Sequence, residues 1–215
     1  METDPAALAA LRAEYELGGL DESELAPDPL AMFARWFDQV RSGGLVEVNA
    51  MVLGTVAADG APASRTVLLK GVDDGFVFFT NYDSRKGVEL AADPRCTLLF
   101  GWYPLQRQVR VEGTATRVTR EETESYFATR PRDSQLGAWA SAQSAEVGSR
   151  ADLDAAYEQV VARFGDGPVL APPHWGGYRV VPSSVEFWQG RRGRMHDRLV
   201  YRRTPQGWTI HRLAP

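Results

Sequence analysis

Short segments of alternating apolar and polar residues, separated by turn residues, fill most of the chain beyond residue 50. Residues 51–57, 64–72 and 76–82, with turn signals at 59–60 and 73–75, predict a three-strand meander. Further strands are predicted at 96–102, 107–118, 178–182, 184–190, 195–203 and 208–213. About eight or nine short strands predict a mainly β fold, an antiparallel barrel or sandwich with helices packed outside it.

Helical periodicity interrupts these strands in a few places. Residues 5–17 and a segment starting at Pro29 have apolar residues at helical spacing, and Asp28 is placed to cap the second helix. A short helix is predicted over 84–92, and two or three more between 120 and 163. Since no internal repeat or clean boundary is visible, we expect residues 1–215 to form one domain.

The composition limits the classes of function. Acidic residues outnumber basic ones by 28 to 24, which argues against a nucleic-acid-binding protein. The single cysteine, Cys96, rules out an internal disulfide, and the three histidines lack metal-ligand spacing, so we expect no metal site. No apolar stretch approaches the roughly 20 residues of a membrane span. The acidic N-terminus does not match a secretory signal, and we expect a soluble, cytoplasmic protein without a membrane partner.

Only two of the basic residues are lysines, Lys70 and Lys86, and both lie in motifs of possible chemical interest. In NYDSRKG, Ser84 is a good helix N-cap, which puts Arg85 and Lys86 in the first turn. Cations at a helix N-terminus interact unfavourably with the helix dipole, and a bound anion would offset this effect. The motif therefore allows two interpretations, a phosphate-binding site or a pair of solvated charges. In SRTVLLK, strand alternation puts Arg65 and Lys70 on opposite faces, where each meets an anion or protects an edge.

Two further motifs combine arginine with hydroxyl or aromatic groups. In YFATRPRDSQ, Tyr126 and Arg130 are placed on one helix face and Ser134 at the cap of the next helix, a plausible phosphate clamp or an ordinary helix end. After Trp188, a strand running through 194–198 would put the basic side chains at 194, 196 and 198 on one face. That pattern suits a planar phosphorylated ligand or a charged edge strand.

Together these segments resemble the pyridoxamine 5′-phosphate oxidase family nearly end to end. The matching motifs are LRAEYELGGL, SRTVLLK, FFTNYDSRKG, LQRQVRVEG, YFATRPRDSQLGAWAS, HWGGYRV, EFWQG, RMHDR and the terminal RLAP. The resemblance implies an FMN-binding split β-barrel, antiparallel and Greek-key-like, that forms a homodimer with FMN at the subunit interface. One departure is Glu47, where some members carry Asp near the active site.

The resemblance also implies which residues bind FMN. Arg65 and Lys86 would bind its phosphate, with Arg85 and Ser144 nearby. The residues implied around the rest of FMN are Thr66, Val67, Leu68, Leu69, Lys70, Phe79, Thr80, Gln108, Gln143, Trp188 and Arg198. Some of these would belong to the partner subunit.

The substrate residues follow from the same resemblance. The substrate phosphate would be bound by Lys70, Tyr126, Arg130 and Ser134. Arg194 and His196 would flank the pyridine ring as catalytic residues. Arg12 and Tyr15 lie in the N-terminal segment 1–20, which the resemblance implies is a lid.

The implied activity is the oxidation of pyridoxine 5′-phosphate and pyridoxamine 5′-phosphate to pyridoxal 5′-phosphate, with O2 reduced to hydrogen peroxide. Three alternatives differ in class. They are a sibling FMN oxidase that acts on phenazine precursors, a non-catalytic carrier of flavin or pyridoxal phosphate, and an arginine-rich nucleic-acid module. The four-residue phosphate clamp argues against the first, because such substrates lack a phosphate.

Overall fold

The computed structural model describes residues 4–11 and 14–215, which form six α-helices, three short 3-10 helices and nine strands. The helices are α1 Pro5–Ala10, α2 Pro29–Ser42, α3 Arg85–Ala92, α4 Arg120–Ala128, α5 Arg132–Ala140 and α6 Arg150–Phe164. The strands are β1 Ala50–Val56, β2 Pro62–Leu68, β3 Gly71–Val72, β4 Phe76–Asn81, β5 Arg95–Trp102, β6 Arg107–Arg117, β7 Trp175–Gln189, β8 Asp197–Thr204 and β9 Gly207–Arg212. The predicted mixture of short strands and helices is confirmed.

The described chain divides into two compact units. Unit 1 contains the residues up to Val48, Leu99–Val111 and Ser184–Pro215, and unit 2 contains Asn49–Leu98 and Glu112–Ser183. Strands β5, β6 and β7 contribute residues to both units. The single domain expected over 1–215 stays a prediction.

Unit 2 contains the longer part of the sheet, with strand order β2-β1-β5-β6-β7-β4-β3. Strands β1 and β2 form an antiparallel hairpin with Gly54 opposite Ser64. Strand β4 lies antiparallel to β7, with Asn81 opposite Trp175. Most of β4 is buried on both faces, so its FVFF run lacks the alternation of a half-solvated strand.

The predicted three-strand meander is wrong in one respect, because its middle strand is divided. The segment predicted at 64–72 forms the end of β2 and then β3, which lie at opposite ends of the strand order. The backbone N–H of Leu69 still donates to Asn49, beside β1, at 2.8 Å, whereas that of Lys70 donates to Val77 of β4 at 2.8 Å. The chain therefore changes hydrogen-bonding partner between these two residues.

Unit 1 packs helix α2 and strands β8 and β9 around an aromatic core. Phe33, Trp36 and Val40 of α2 are buried, as the predicted apolar stripe requires, and Trp36 meets Phe187 edge-on at 5.2 Å. The Asp28 carboxylate accepts the N–H groups of residues 30 and 31, which confirms the predicted cap.

The first helix is shorter than predicted. Helix α1 ends at Ala10, although the periodicity extends to residue 17, and the described residues 14–17 are not helical. The side-chain oxygen of Gln106 accepts the N–H groups of Glu16 and Leu17, at 3.0 and 3.3 Å. A distant side chain thus satisfies backbone donors that a helix would otherwise use.

The two strands predicted at 178–182 and 184–190 form one long strand, β7. Strand β7 continues through Pro182, which lies after the β4 pairing ends at Val180 and before the β8 pairing begins at Ser184. Proline lacks a backbone donor and is tolerated where that donor is not required by the adjacent ladder.

The first turn of α3 depends on a residue without a side chain. A Cβ atom at Gly87 would lie 2.1 Å from the carbonyl oxygen of Tyr82, whereas a Cβ atom at Gly137 in α5 would meet nothing within 4 Å. We predict that Gly87→Ala lowers the free energy of unfolding by about 2 kcal/mol or more through overpacking. The matched control Gly137→Ala should raise it by roughly 0.5–1 kcal/mol. Urea unfolding at one protein concentration measures both, and equal effects would contradict the packing argument.

Candidate functional site

A cavity of about 480 Å³ in unit 2 brings together many of the predicted site residues. Its lining comprises Thr66, Val67, Leu68, Lys70, Phe79, Thr80, Lys86, Tyr126, Thr129, Arg130, Pro131, Ser134, Gln143 and Trp175. Three of these side chains are cationic, and none of the described lining residues is a carboxylate. Cations gathered without a counter-charge favour an anionic ligand.

Lys86 is buried at the start of α3, and its hydrogen bonds go to uncharged groups. Ser84 caps the helix as predicted, accepting the N–H of residue 87. The Lys86 ammonium donates to Thr80 Oγ1, Ser84 Oγ and Gln143 Oε1 at 3.2, 3.2 and 2.8 Å. Burial, and secondarily the nearby Arg65, lower the pKa of Lys86 from its ordinary value. A phosphate would supply the charge that these neutral oxygens lack.

Arg65 binds a buried carboxylate that the sequence did not single out. Its guanidinium donates to Glu89 Oε2 at 2.8 Å and to Thr55, while Arg85 donates to Glu89 Oε1 at 2.8 Å. Glu89 is only 5% exposed. The spacing of Arg85 and Glu89 on α3 was the available signal, because residues four apart are helix neighbours.

Arg85 and Ser144 lie along a neighbouring cavity of about 730 Å³ in the same unit. Gln143 lines both cavities. The segment 66–70 was expected to line the flavin. Four of its residues line the 480 Å³ cavity, namely Thr66, Val67, Leu68 and Lys70, while Leu69 is buried. Ser144 has a φ of 74°, a conformation that costs energy in most residues and clusters at functional sites.

All four residues expected to bind the substrate phosphate line the first cavity, although two lie elsewhere in the secondary structure than predicted. Arg130 lies beyond α4, which ends at Ala128, because Pro131 disfavours helical backbone in the residue before it. Ser134 lies inside α5 and not at its cap, a position taken by Pro131. The predicted helix-face pair and serine cap are therefore wrong, but the side chains converge.

Arg130 has an unsatisfied hydrogen-bonding group. Among the described residues, its Nη1 is the one buried side-chain nitrogen or oxygen that has no hydrogen-bond partner. Burial removes part of the water around its guanidinium and so lowers the pKa of Arg130 from its ordinary value. Buried polar atoms are nearly always paired, so this nitrogen marks a place for a ligand acceptor.

A second cluster of predicted residues lies in unit 1. Trp188 and His196 are 4.6 Å apart between ring centroids, and Tyr15 meets His196 edge-on at 5.4 Å. The N–H of Arg191 donates to His196 Nδ1 at 3.1 Å. Burial, followed by the charge of Arg194, lowers the pKa of His196. The neutral ring accepts at Nδ1 and so carries its proton on Nε2, where it can donate.

The expected strand face of residues 194, 196 and 198 does not form. Strand β8 begins at Asp197, and Arg194 ends a 3-10 turn with a φ of 59°. This positive φ turns the chain and puts Arg194 outside the strand alternation. Arg198 donates to Glu186 Oε1 at 2.7 Å. Gln108 lies half-buried on β6, and Arg12 lies outside the described residues.

The described chain shows neither a metal centre nor a membrane helix. Within it, no group of three or more His, Cys, Asp or Glu side chains is arranged to bind a metal ion. Over the same residues, every helix falls short of the length and hydropathy that a membrane crossing needs.

Comparison with known proteins gives a consistent family. A family model described as pyridoxamine 5′-phosphate oxidase matches residues 38–164, and one described as the pyridoxine 5′-phosphate oxidase C-terminal dimerisation region matches residues 175–215. A pyridoxine/pyridoxamine 5′-phosphate oxidase from Nocardioides sp. is 61% identical over 209 residues, covering 97% of this chain and 98% of that protein. The protein of the same name from Cupriavidus necator is 56% identical over 210 residues, covering 97% and 99%.

Two solved structures share the fold. PhzG from Burkholderia lata 383, in complex with tetrahydrophenazine-1-carboxylic acid, matches with a TM-score of 0.88 and 27% identity, covering 94% of this chain and 100% of that chain. A pyridoxamine 5′-phosphate oxidase-related, FMN-binding protein from Nostoc punctiforme matches with a TM-score of 0.70 and 18% identity, covering 92% and 100%. This chain belongs to the pyridoxamine 5′-phosphate oxidase family. The resemblance and the split-barrel fold class expected from the sequence are confirmed.

The ion pairs of Glu89 give a pH-dependent prediction. Burial by itself would raise the pKa of Glu89, but hydrogen bonds from Thr55, Arg85 and Arg65 together lower it below 4.5. Its contribution to stability is therefore present above pH 4.5 and is lost as pH falls through the lowered pKa. We predict that Glu89→Gln lowers the free energy of unfolding by about 2 kcal/mol at pH 7, and that this loss shrinks below pH 4.5.

Urea unfolding between pH 3.5 and 7 tests this, with Glu124→Gln as the control. Glu124 forms an exposed helix-surface pair with Arg120 at 2.7 Å, and its replacement should change stability by less than about 0.5 kcal/mol. A pH-independent loss in Glu89→Gln would refute the role assigned to its charge.

Proposed function

We propose that this protein is an FMN-dependent oxidase that converts pyridoxine 5′-phosphate and pyridoxamine 5′-phosphate to pyridoxal 5′-phosphate. The observation that carries the proposal is the cavity with Lys70, Lys86 and Arg130, no carboxylate among its described lining residues, and one unpaired guanidinium nitrogen. Both the proposed cofactor and the proposed substrates carry a phosphate. Family membership supports this reading over other anion-binding functions.

The residues around α3 fit the FMN phosphate. Lys86 offers a buried ammonium, and Thr80 and Gln143 add polar groups beside it. Arg65, Arg85 and Ser144 are proposed to complete the binding of this phosphate, with Gln108, Trp188 and Arg198 on the rest of the cofactor. When bound by these residues, FMN would supply the redox chemistry, taking up hydride from the substrate and returning the electrons to O2.

The substrate phosphate is proposed to bind Arg130, Lys70, Tyr126 and Ser134. A guanidinium and an ammonium give charge-assisted hydrogen bonds, and the two hydroxyls fill the remaining phosphate positions. This clamp fixes the substrate and so contributes orientation to the reaction. At its 4′ group the substrate loses two electrons and two protons, and O2 gains them to give hydrogen peroxide. The imine formed from the amine substrate then hydrolyses and releases ammonia.

Arg194 and His196 are proposed to hold the substrate ring, with Arg12 and Tyr15 closing over it. The neutral His196 ring can donate from Nε2 to the 4′ oxygen or nitrogen. Arg194 supplies a fixed positive charge beside the ring. The match to a C-terminal dimerisation region supports a homodimer. We propose that both subunits of this dimer contribute to the cofactor site.

A sibling oxidase is the second candidate, since the PhzG structure matches with a TM-score of 0.88. The two candidates differ in the use of the phosphate clamp. An oxidase for phenazine precursors needs no group to bind a substrate phosphate, and this chain keeps Lys70, Tyr126, Arg130 and Ser134 around one cavity.

An anaerobic titration tests the proposed function. Pyridoxine 5′-phosphate added without oxygen to the FMN-loaded protein should bleach the flavin absorbance, and air should restore it. Unphosphorylated pyridoxine at the same concentration should bleach it at least about tenfold more slowly, because it lacks the clamped group. Firmly bound FMN that neither ligand bleaches would reject this activity and favour the sibling oxidase or a carrier.

The role of Arg194 gives a separate prediction. Arg194→Gln should lower turnover by about 100-fold while FMN content stays unchanged, since Arg194 is assigned to the substrate and not to the cofactor. Turnover by oxygen uptake and FMN content by absorbance measure the two effects. Parallel loss of FMN and turnover would show that the assigned role is wrong.

A further inference from the structure

The guanidinium of Arg130 lies over the face of a buried aromatic ring. Its Cζ atom is 4.6 Å from the centre of the Trp175 ring and 5.3 Å from that of Phe127. Trp175 is only 7% exposed, and it lines the same cavity as Arg130. A guanidinium over an indole face gains cation–π attraction, and its planar group can stack on the ring.

Trp175 is itself held firmly. It is the first residue of β7, lies opposite Asn81 of β4, and donates its backbone N–H to Pro172 at 3.1 Å. Its ring stacks with Phe79 at 5.5 Å and 14°, and Phe79 stacks with Tyr126 at 4.0 Å and 21°. The same aromatic stack therefore supports two of the proposed phosphate-binding residues.

The backbone of Arg130 is fixed, but its side chain is long. Arg130 follows the end of α4, and its backbone N–H still donates to the carbonyl oxygen of Phe127 at 3.1 Å. Its long side chain has several rotamers, and fixing one of them costs conformational entropy. Stacking on a rigid indole lowers that cost before the ligand arrives.

We propose that Trp175 is a positioning residue that fixes the plane of the Arg130 guanidinium and aims its unpaired Nη1 at the phosphate of the ligand. The proposal rests on the proposed function, since it assumes that the clamp binds a phosphorylated pyridine. Trp175 thereby sets the preference for phosphorylated over unphosphorylated ligands without touching the reacting atoms.

The test uses two ligands that differ only in the phosphate. 4-Deoxypyridoxine 5′-phosphate and 4-deoxypyridoxine lack the 4′ group that reacts, so calorimetry on the FMN-loaded protein measures binding without turnover. Trp175→Leu should weaken binding of the phosphorylated ligand about tenfold and leave the unphosphorylated ligand unchanged. Trp175→Phe keeps an aromatic face and should restore most of this loss.

Val169→Ala is the matched control. Val169 is 7% exposed and belongs to the same hydrophobic cluster as Trp175, but it does not line the cavity. Its truncation loosens the same core and should leave the ratio of the two affinities unchanged. The FMN content of each variant, read from its absorbance, verifies that the fold is retained.

A double-mutant cycle with Arg130→Met separates positioning from packing. If Trp175 acts through Arg130, Trp175→Leu should have little further effect on the phosphorylated ligand once Arg130 is replaced. Additive losses would overturn the proposal, as would an unchanged affinity ratio in both Trp175 variants. Wild-type protein that fails to prefer the phosphorylated ligand would instead refute the clamp and, with it, the proposed function.

Discussion

The ammonium of Lys86 is nearly buried, and the groups that bind it are uncharged oxygens. A buried cation whose hydrogen bonds go only to neutral groups is costly, and the start of a helix adds an unfavourable dipole. Two local features stabilise the first turn of α3 and so offset this cost. Gly87 has no side chain to clash with the Tyr82 carbonyl, and Ser84 caps the helix. These features favour an anionic ligand at Lys86, in line with the proposed FMN phosphate.

Four basic side chains of unit 2 differ in their hydrogen-bonding partners. Arg65 and Arg85 share the buried carboxylate of Glu89, and the Arg65 pair joins β2 to α3. Lys86 is satisfied by neutral acceptors, and Arg130 keeps one nitrogen without an acceptor and rests on Trp175. Neither Lys86 nor Arg130 forms an ion pair with a carboxylate of the described residues, and these are the cations proposed to bind the two phosphates.

Sequence patterns predict the local features well and the long-range ones poorly. The caps at Asp28 and Ser84 and the apolar stripe of α2 follow from short spacings, and the structure confirms them. Arg130 was placed on a helix and residues 194–198 on a strand, because periodicity does not register the effect of Pro131 or a positive φ at Arg194. The sequence does not single out the Arg65–Glu89 pair or the contact of Arg130 with Trp175, since these partners come from segments distant in sequence.

The affinity of FMN relative to riboflavin, compared between the wild-type protein and Lys86→Met, tests the central claim most directly. The two flavins differ only in the phosphate, and fluorescence quenching on the apoprotein measures both. If Lys86 binds the FMN phosphate, the variant should lose about 10- to 100-fold in FMN affinity and keep its riboflavin affinity. Equal losses for both flavins, or no loss for FMN, would show that the buried ammonium is not a phosphate ligand.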